Sequence, residues 1–354
     1  MKTKRILLIS LILSICLSGC SNPTVDRFLS SDIDIYISND VDIFGNKIDK
    51  SETITNAPVT STPTPQATKK PSTPITGNEN LKVYFLDVGQ ADSILIQINN
   101  DENILIDGGN NADGKDIVSY LKYLNVTNID TIIATHPHED HIGGLDDIID
   151  NIETDKIYMP YINDVDVPTT ITYEDFLMSV MDNELIVYQA ENGQVIYEND
   201  DIKLEIISPT EVKSGDLNRY SIVTKLQFKD TSFIFAGDAT NDVNQYIMDN
   251  YDDDFIDVDV LKLGHHGSYT SSNMEWIKKT SPTYGIVMCG KDNQYGHPHK
   301  EPVDILNKNN SNIYRTDLNG TILIESDGKN LYIDTKLTGD YPLGHDKFKI
   351  KNVK

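Results

Sequence analysis

The chain has 354 residues, room for one large domain or two smaller ones, and carries 30 basic against 55 acidic side chains for a formal net charge of −25. A field of that sign repels polyanions at long range, so nucleic acid is a disfavoured partner unless cations reverse the charge locally. Of the three cysteines, Cys16 and Cys20 lie in a leader-like segment, which leaves Cys289 alone and excludes an internal disulfide in the mature chain.

Residues 1–20 read as a bacterial lipoprotein signal peptide. Lys2, Lys4 and Arg5 precede an apolar run over 6–17, too short to span a bilayer comfortably, and Leu17-Ser18-Gly19-Cys20 follows. The expected fate is cleavage before Cys20 and lipidation of its thiol, holding the protein on the outer face of the cell membrane. The plainer alternative is a signal cut elsewhere, with Cys20 incidental. Residues 21–80 read as a disordered stalk rich in Ser, Thr and Pro, with Thr60-Ser61-Thr62-Pro63-Thr64-Pro65 and Lys69-Lys70-Pro71. A coil of about 60 residues has an r.m.s. reach of roughly 40–45 Å, within cell-wall distance. A weak alternation over 33–43 predicts a small strand pair.

From 81 to 338 the pattern is that of one compact domain, with 339–354 a C-terminal tail. Apolar runs predict strands at 83–88, 94–98 and 104–106, then a helix carrying Ile117, Leu121 and Leu124. A buried-type strand, Thr131-Ile132-Ile133-Ala134-Thr135, runs into His136-Pro137-His138-Glu139-Asp140-His141, and a helix is expected from near Leu145. Further strands are expected at 156–159, 185–189, 203–207, 222–228, 232–236, 258–263, 284–288, 321–325 and 331–334. Helices are expected near 242–250, 273–280 and 303–308. Two sets of strands with flanking helices predict two sheets face to face inside outer helices.

The cluster at 136–141 is the strongest functional signal. In an extended segment residues two apart project to the same side, so His136 and His138 can offer nitrogens to one ion. Asp140 and His141, where the chain turns, can face a second. Gly143-Gly144 is expected to let the backbone bend sharply into the next helix. A lone loop histidine is more often a surface or core residue; three histidines and an aspartate behind an apolar strand point to metal. Two other strand ends repeat the theme. Gly237-Asp238-Ala239 offers a carboxylate able to bridge two cations, and Gly264-His265-His266-Gly267-Ser268 ends a strand in histidines. Taken singly, such an aspartate more often caps the next helix. Cys289, in an apolar strand, is most simply a buried core thiol.

Together, Thr135-His136-Pro137-His138-Glu139-Asp140-His141, Gly237-Asp238-Ala239 and Gly264-His265-His266-Gly267 resemble the ordered metal motifs of the metallo-β-lactamase superfamily. Leu86-Asp87-Val88-Gly89-Gln90-Ala91-Asp92-Ser93, Leu105-Ile106-Asp107-Gly108-Gly109 and Tyr295-Gly296-His297-Pro298-His299 are similar to the hydrolase domain of ComEC-type competence DNA-uptake proteins. The first half is also similar to cell-wall phosphorylcholine esterases. The resemblance spans about 81–335 and implies an α/β fold, an αββα sandwich with a dinuclear site between its sheets. It implies His136 and His138 on one ion, Asp140 and His141 on the other, and Asp238 bridging. The closing ligand is His266 or His265, with His266 preferred because its His-Gly-Ser step resembles the His-x-Ser of related phosphodiesterases. His265 would then orient substrate or assist the leaving group. Asp107 would support the metal loop, and Asp87, Asp92 and Ser268 fall at supporting or substrate-contacting positions.

Many members of that superfamily supply another histidine between the first cluster and the bridging aspartate, yet none occurs here from 142 to 264. An open coordination position suits a catalytic ion better than a structural one. Leu217-Asn218-Arg219-Tyr220-Ser221 matches an Asn/Ser segment of the two similar branches, although Asn218 and Ser221 read equally as turn residues before a strand. Two divalent ions, zinc or manganese, sharing one water would lower its pKa and offset charge on a phosphoryl or acyl oxygen. The candidate catalytic groups are Asp140, His265, His297 and His299, the last two reading otherwise as solvent-facing turn histidines. The expectation is a lipid-anchored, extracytoplasmic dinuclear metallohydrolase cleaving phosphodiesters of DNA or of a cell-wall or headgroup compound. The alternatives are a lactonase or β-lactamase-type hydrolase of C–O or C–N bonds and a non-catalytic surface metal-binding module. The sequence carries no signal of oligomeric state.

Overall fold

Strands whose two faces are both apolar must be covered on both sides, and that requirement sets the layering. The computed structural model describes residues 35–36, 80–99, 102–209 and 215–335. The first half supplies β1 (Ile35–Tyr36), β2 (Leu81–Phe85), β3 (Ile94–Ile98), β4 (Glu102–Ile106), β5 (Asn128–Ile129), β6 (Thr131–Ile133), β7 (Glu153–Thr154), β8 (Lys156–Met159) and β9 (Ile186–Gln189). Between them lie helices α1 (Gly114–Tyr123), α2 (Glu139–Ile142), α3 (Leu145–Asn151) and α4 (Ile171–Asp182). The second half supplies β10 (Val195–Glu198), β11 (Ile202–Ser208), β12 (Val223–Phe228), β13 (Thr231–Phe235), β14 (Val260–Lys262), β15 (Tyr284–Val287), β16 (Asn312–Arg315), β17 (Ile322–Ser326) and β18 (Leu331–Asp334). Its helices are α5 (Asn241–Asn250), α6 (Asp253–Ile256), α7 (Met274–Thr280), α8 (Lys300–Lys308) and α9 (Thr316–Asn319).

Among the described residues one large sheet runs β1-β9-β8-β6-β4-β3-β2-β17-β18, the other large sheet runs β10 to β16 in sequence order, and β5 pairs with β7 in a two-stranded ribbon. Alternate residues of each, such as Val83, Phe85, Ile96, Leu204, Phe233 and Phe235, meet in a core between the sheets, where the Phe85 and Phe235 rings lie 6.1 Å apart. The opposite face of the first sheet, with Leu95, Leu105 and Ile132, is covered by α1, α3 and α4 through Ile117, Ile148 and Phe176. On the second sheet Ile234, Leu261 and Val287 pack under α5, α7 and α8 through Ile247, Trp276 and Leu306. Two mixed sheets flanked by helices are thus the architecture that the strand pattern and the resemblance led us to expect.

The short elements β5, β7, α2, α6 and α9 and three longer ones, α4, β10 and β16, were not among the expected ones. Helix α4 carries Tyr173, Phe176 and Val180 on its buried side and is capped by the Thr170 side chain accepting from the Tyr173 N–H at 3.3 Å. Its apolar spacing and cap are local and readable. Strands β10 and β16 are edge strands whose partly exposed residues lack a strong alternation. Of the strand pair expected over 33–43, Ile35–Tyr36 lies parallel to β9, Ile35 beside Val187 and Tyr36 beside Tyr188. The signal peptide with Cys20, the rest of the stalk and the tail lie outside the described residues.

Strands β4, β6, β8 and β9 run parallel, as do β13, β14, β15 and β16. Their C-terminal ends therefore deliver loops to one edge of the sandwich, where functional side chains can converge. Gly143 and Gly144 join α2 to α3 with right-handed backbone, φ −59° and −98°, so no left-handed conformation calls for glycine there. They are glycines for lack of space. A Cβ on Gly143 would lie 2.3 Å from the Asn111 backbone nitrogen, and one on Gly144 would lie 2.4 Å from the Gly108 carbonyl oxygen. This close approach seats the histidine loop against the loop that follows Asp107. Gly144→Ala is expected to cost about 2–3 kcal/mol by overpacking, read as a lower urea midpoint at unchanged slope.

Candidate active site

The loop after β6 is fixed by Asp107, which follows β4 with a left-handed φ of 59°. Its carboxylate accepts the Thr135 N–H at 2.8 Å and the Thr135 hydroxyl at 2.7 Å, and it holds His141 Nδ1 at 2.7 Å. The Thr135 proton is thereby committed, so the 3.1 Å contact of Thr135 Oγ1 with His136 Nδ1 is one in which the imidazole donates. His266 Nδ1 lies 3.0 Å from the Met288 carbonyl, which can only accept. Three imidazoles thus give Nδ1–H to an outer acceptor and turn Nε2 inward, the arrangement that orients metal-ligating histidines.

The inward atoms converge. His141 Nε2 lies 3.3 Å from Asp238 Oδ1, and His266 Nε2 lies 3.1 Å from Asp140 Oδ2 and 3.7 Å from Asp238 Oδ2. His136 Nε2 lies 2.9 Å from His138 Nδ1. Ligand atoms of His136, His141 and Asp238, of Asp140, His141 and His266, and of Asp92, Asp238 and His266 each fall within 4.8 Å of one another. His141 Nε2, Asp238 Oδ1 and Asp92 Oδ1 are buried without a hydrogen-bond partner. Buried polar atoms without partners are costly, and a divalent cation held by the grouping of His136, His141 and Asp238 would satisfy the first two. The residues therefore fit a metal centre, with His141 and Asp238 shared between neighbouring groupings and His138 joined through His136.

His265, His266 and Gly267 all have left-handed φ, at 51°, 55° and 83°. This turn sets the two histidines apart in space. His266 is buried in the cage, whereas His265 sits at its rim with Nε2 3.7 Å from Asp238 Oδ2. His297 lies beside both, with ring centroids 5.4 Å from His265 and 6.0 Å from His266, and His299 follows at 4.8 Å from His297. The last two are therefore part of the site's wall. Ser221 Oγ accepts the Asp238 N–H at 3.2 Å, and the Asn218 Oδ1 is buried without a partner. Ser268 contacts Thr270, which reaches His265 Nδ1 at 3.4 Å. Asp87 instead accepts the Gly89 N–H within the turn after β2, and it joins none of the metal groupings. Cys289 is a buried free thiol.

One residue escaped the sequence reading. Lys262, fully buried on β14, contacts the Asp92 carboxylate, donates to the Gly237 carbonyl at 2.9 Å and lies 4.0 Å from Asp238 Oδ1. Period-2 alternation places it on the same inter-sheet face as Val260. A lysine at such a position, two residues before Gly264, is the signal that would have found it.

Charge in the cage follows from these contacts. Burial, then His141, holds His136 well below the ordinary histidine value. Burial opposes the charge on His141 as well, but Asp238, Asp107 and Asp140 raise it well above that value. His266 is raised to about 10, burial being outweighed by Asp238, Asp140 and Asp92. Asp238 is pulled well below the carboxylate range, against burial, by His141 and His266. A raised histidine stabilises the metal-free fold fully below its ordinary value of 6.5, and that stability is lost as pH climbs toward about 10. An ion needs the same nitrogens unprotonated, so its binding releases protons and tightens over that interval. Chelated protein is expected to lose Tm on going from pH 6.5 to about 10, while zinc-saturated protein holds or gains, as differential scanning calorimetry would show. Parallel curves for the two forms would remove His266 from the ligand set.

The chain is similar to known proteins. The profile of the metallo-beta-lactamase superfamily matches residues 86–291. The chain is 27% identical to ComE operon protein 3 of Bacillus subtilis over 258 residues, which is 68% of this chain and 32% of that protein. It is 25% identical to competence protein ComA of Neisseria gonorrhoeae over 241 residues, 68% of this chain and 31% of that one. The chain thus spans about a third of the length of these relatives. Among solved structures it is similar to CmlA, a diiron β-hydroxylase from Streptomyces venezuelae, at 17% identity and a TM-score of 0.44, over 68% of this chain and 53% of that one.

Proposed function

The chain belongs to the metallo-beta-lactamase superfamily, and from the site this fold holds we propose a metal-dependent hydrolase that cleaves phosphodiesters. The observation that carries the reading is the row of imidazoles His265, His297 and His299 beside the cage, beyond what ion binding requires. Such a wall offers several N–H donors to the charged oxygens of a tetrahedral phosphoryl group. His136, His138, Asp140, His141, Asp238 and His266 would hold two divalent ions, which supply Lewis acidity and lower the pKa of the attacking water. In the hydrolysis, the attacking water gives up a proton as its oxygen bonds to phosphorus, the ester P–O bond breaks and the leaving oxygen takes that proton, relayed by a nearby base. His265, at the rim of the cage, is placed to donate it.

The names of the relatives make DNA the first macromolecule to test, whereas the net charge of −25 favours short or zwitterionic diesters. Metal-loaded protein should be given nicked and supercoiled plasmid, phosphorylcholine esters, bis-aryl phosphates and lactones at physiological salt. Turnover of at least one diester is expected, and turnover of lactones alone would sink the reading.

We also propose that lipidated Cys20 ties the enzyme to the outer membrane face, a reading supported by Leu17-Ser18-Gly19-Cys20 behind its apolar run. No helix among the described residues is long and apolar enough to cross a membrane. Cys20→Ser is expected to move the protein from the membrane to the soluble or unprocessed fraction. An unchanged membrane fraction and unchanged lipid labelling would refute the anchor.

A further inference from the structure

Gln90 and His297 come from opposite sheets, one in the turn between β2 and β3 and the other in the loop after β15, and no metal grouping includes either. Their contact has a definite polarity. The Gly290 backbone N–H donates to Gln90 Oε1 at 3.1 Å, which fixes that side of the amide as its oxygen. Gln90 Nε2 therefore faces His297 Nδ1, at 3.1 Å, and the amide nitrogen can only donate. His297 Nδ1 must then accept, and a neutral ring that accepts at Nδ1 carries its proton on Nε2. That Nε2 has no hydrogen bond among the described residues, and His297 keeps 9% of its surface exposed.

The clamp is built closely. A Cβ on Gly290 would lie 2.8 Å from the Gln90 backbone nitrogen and 3.1 Å from Gln90 Cβ, so only glycine lets the two loops meet. Asn293 holds the other partner's backbone, accepting the His297 N–H at 2.9 Å and donating to its carbonyl at 2.6 Å. The His297 ring is thus fixed on its Nδ1 side and through its main chain, beside His265 and His266.

We propose that Gln90 is a positioning residue that locks His297 as its Nε2–H tautomer, so that the ring presents a fixed N–H donor to a phosphoryl oxygen of the substrate. The inference rests on the phosphodiesterase reading for its substrate, but its tautomer half stands on hydrogen bonding alone. Two readouts keep these apart. In long-range proton–nitrogen spectra of histidine-labelled, zinc-loaded protein, His297, assigned by its loss in His297→Asn, should show the Nε2–H pattern. Gln90→Glu replaces the donor by an acceptor and should flip the ring to Nδ1–H, removing the donor at Nε2. Its kcat on the best diester should fall about 10²-fold, the usual loss for one oxyanion donor. Gln90→Leu, which buries no charge, should give mixed tautomers and an intermediate loss. An Nδ1–H ring in the wild type overturns the lock, and a flipped ring with unchanged kcat overturns the donor role. A wild type that turns over no diester overturns the proposed activity instead, while the spectra still decide the tautomer.

Discussion

Replacing Asp238 by alanine is expected to remove metal and turnover together. The side chain is buried, with Oδ1 3.3 Å from His141 Nε2 and Oδ2 3.7 Å from both His265 and His266 Nε2. It belongs both to the grouping with His136 and to the one with His266, so no other carboxylate among those groupings substitutes for it. Loss of a group on which a whole catalytic unit depends costs about 10³-fold or more in kcat. Asp238→Asn separates charge from shape: it keeps the volume, and it should lose most of the metal measured by elemental analysis. A surface module kept only for binding would retain its partner affinity in either variant. An alanine variant that keeps two ions per chain and full turnover would remove Asp238 from the centre.

The largest effect on stability is expected at Lys262. Lys262→Met strips the cation from a fully buried pair and leaves Asp92 facing an apolar side chain. Breaking such a pair from one side costs about 3–5 kcal/mol, because the remaining carboxylate stays buried and loses its nearest cation, with His266 and His141 left as more distant neighbours. The double variant Lys262→Met, Asp92→Leu should recover much of this loss, since neither charge is then left in the interior. Urea unfolding of the four proteins, all chelated, gives the coupling directly. Additive losses would show that Lys262 interacts chiefly with the Gly237 carbonyl and Asp238.

Much of the fold could be read locally. Tyr284–Val287 is apolar on both faces and Ile94–Ile98 nearly so, and that text demands a layer on each side wherever the strands end up. The ligand candidates could be read for the same reason, because His136 to His141, Asp238 and His266 each terminate an apolar strand. The need for glycine at 143 is visible only in space, since the backbone it meets, at Asn111, lies on another loop. Lys262 is not legible as a site residue, because a lysine in the strand expected over 258–263 reads as solvent-facing until the second sheet is seen to cover its face. Asp87 was carried along with its motif, although its carboxylate serves the turn that it begins.

The sequence by itself determined which residue types hold the site, in what order, and on which strand ends, because strand alternation and ligand spacing act over a few residues. Tertiary structure alone decided which nitrogen each histidine offers. His266 is oriented by the Met288 carbonyl, His141 by Asp107 and His297 by Gln90, partners 22, 34 and 207 positions away in the chain. A hydrogen bond has direction but no memory of sequence separation, so its polarity appears only once parallel strands have brought their loops to the same edge.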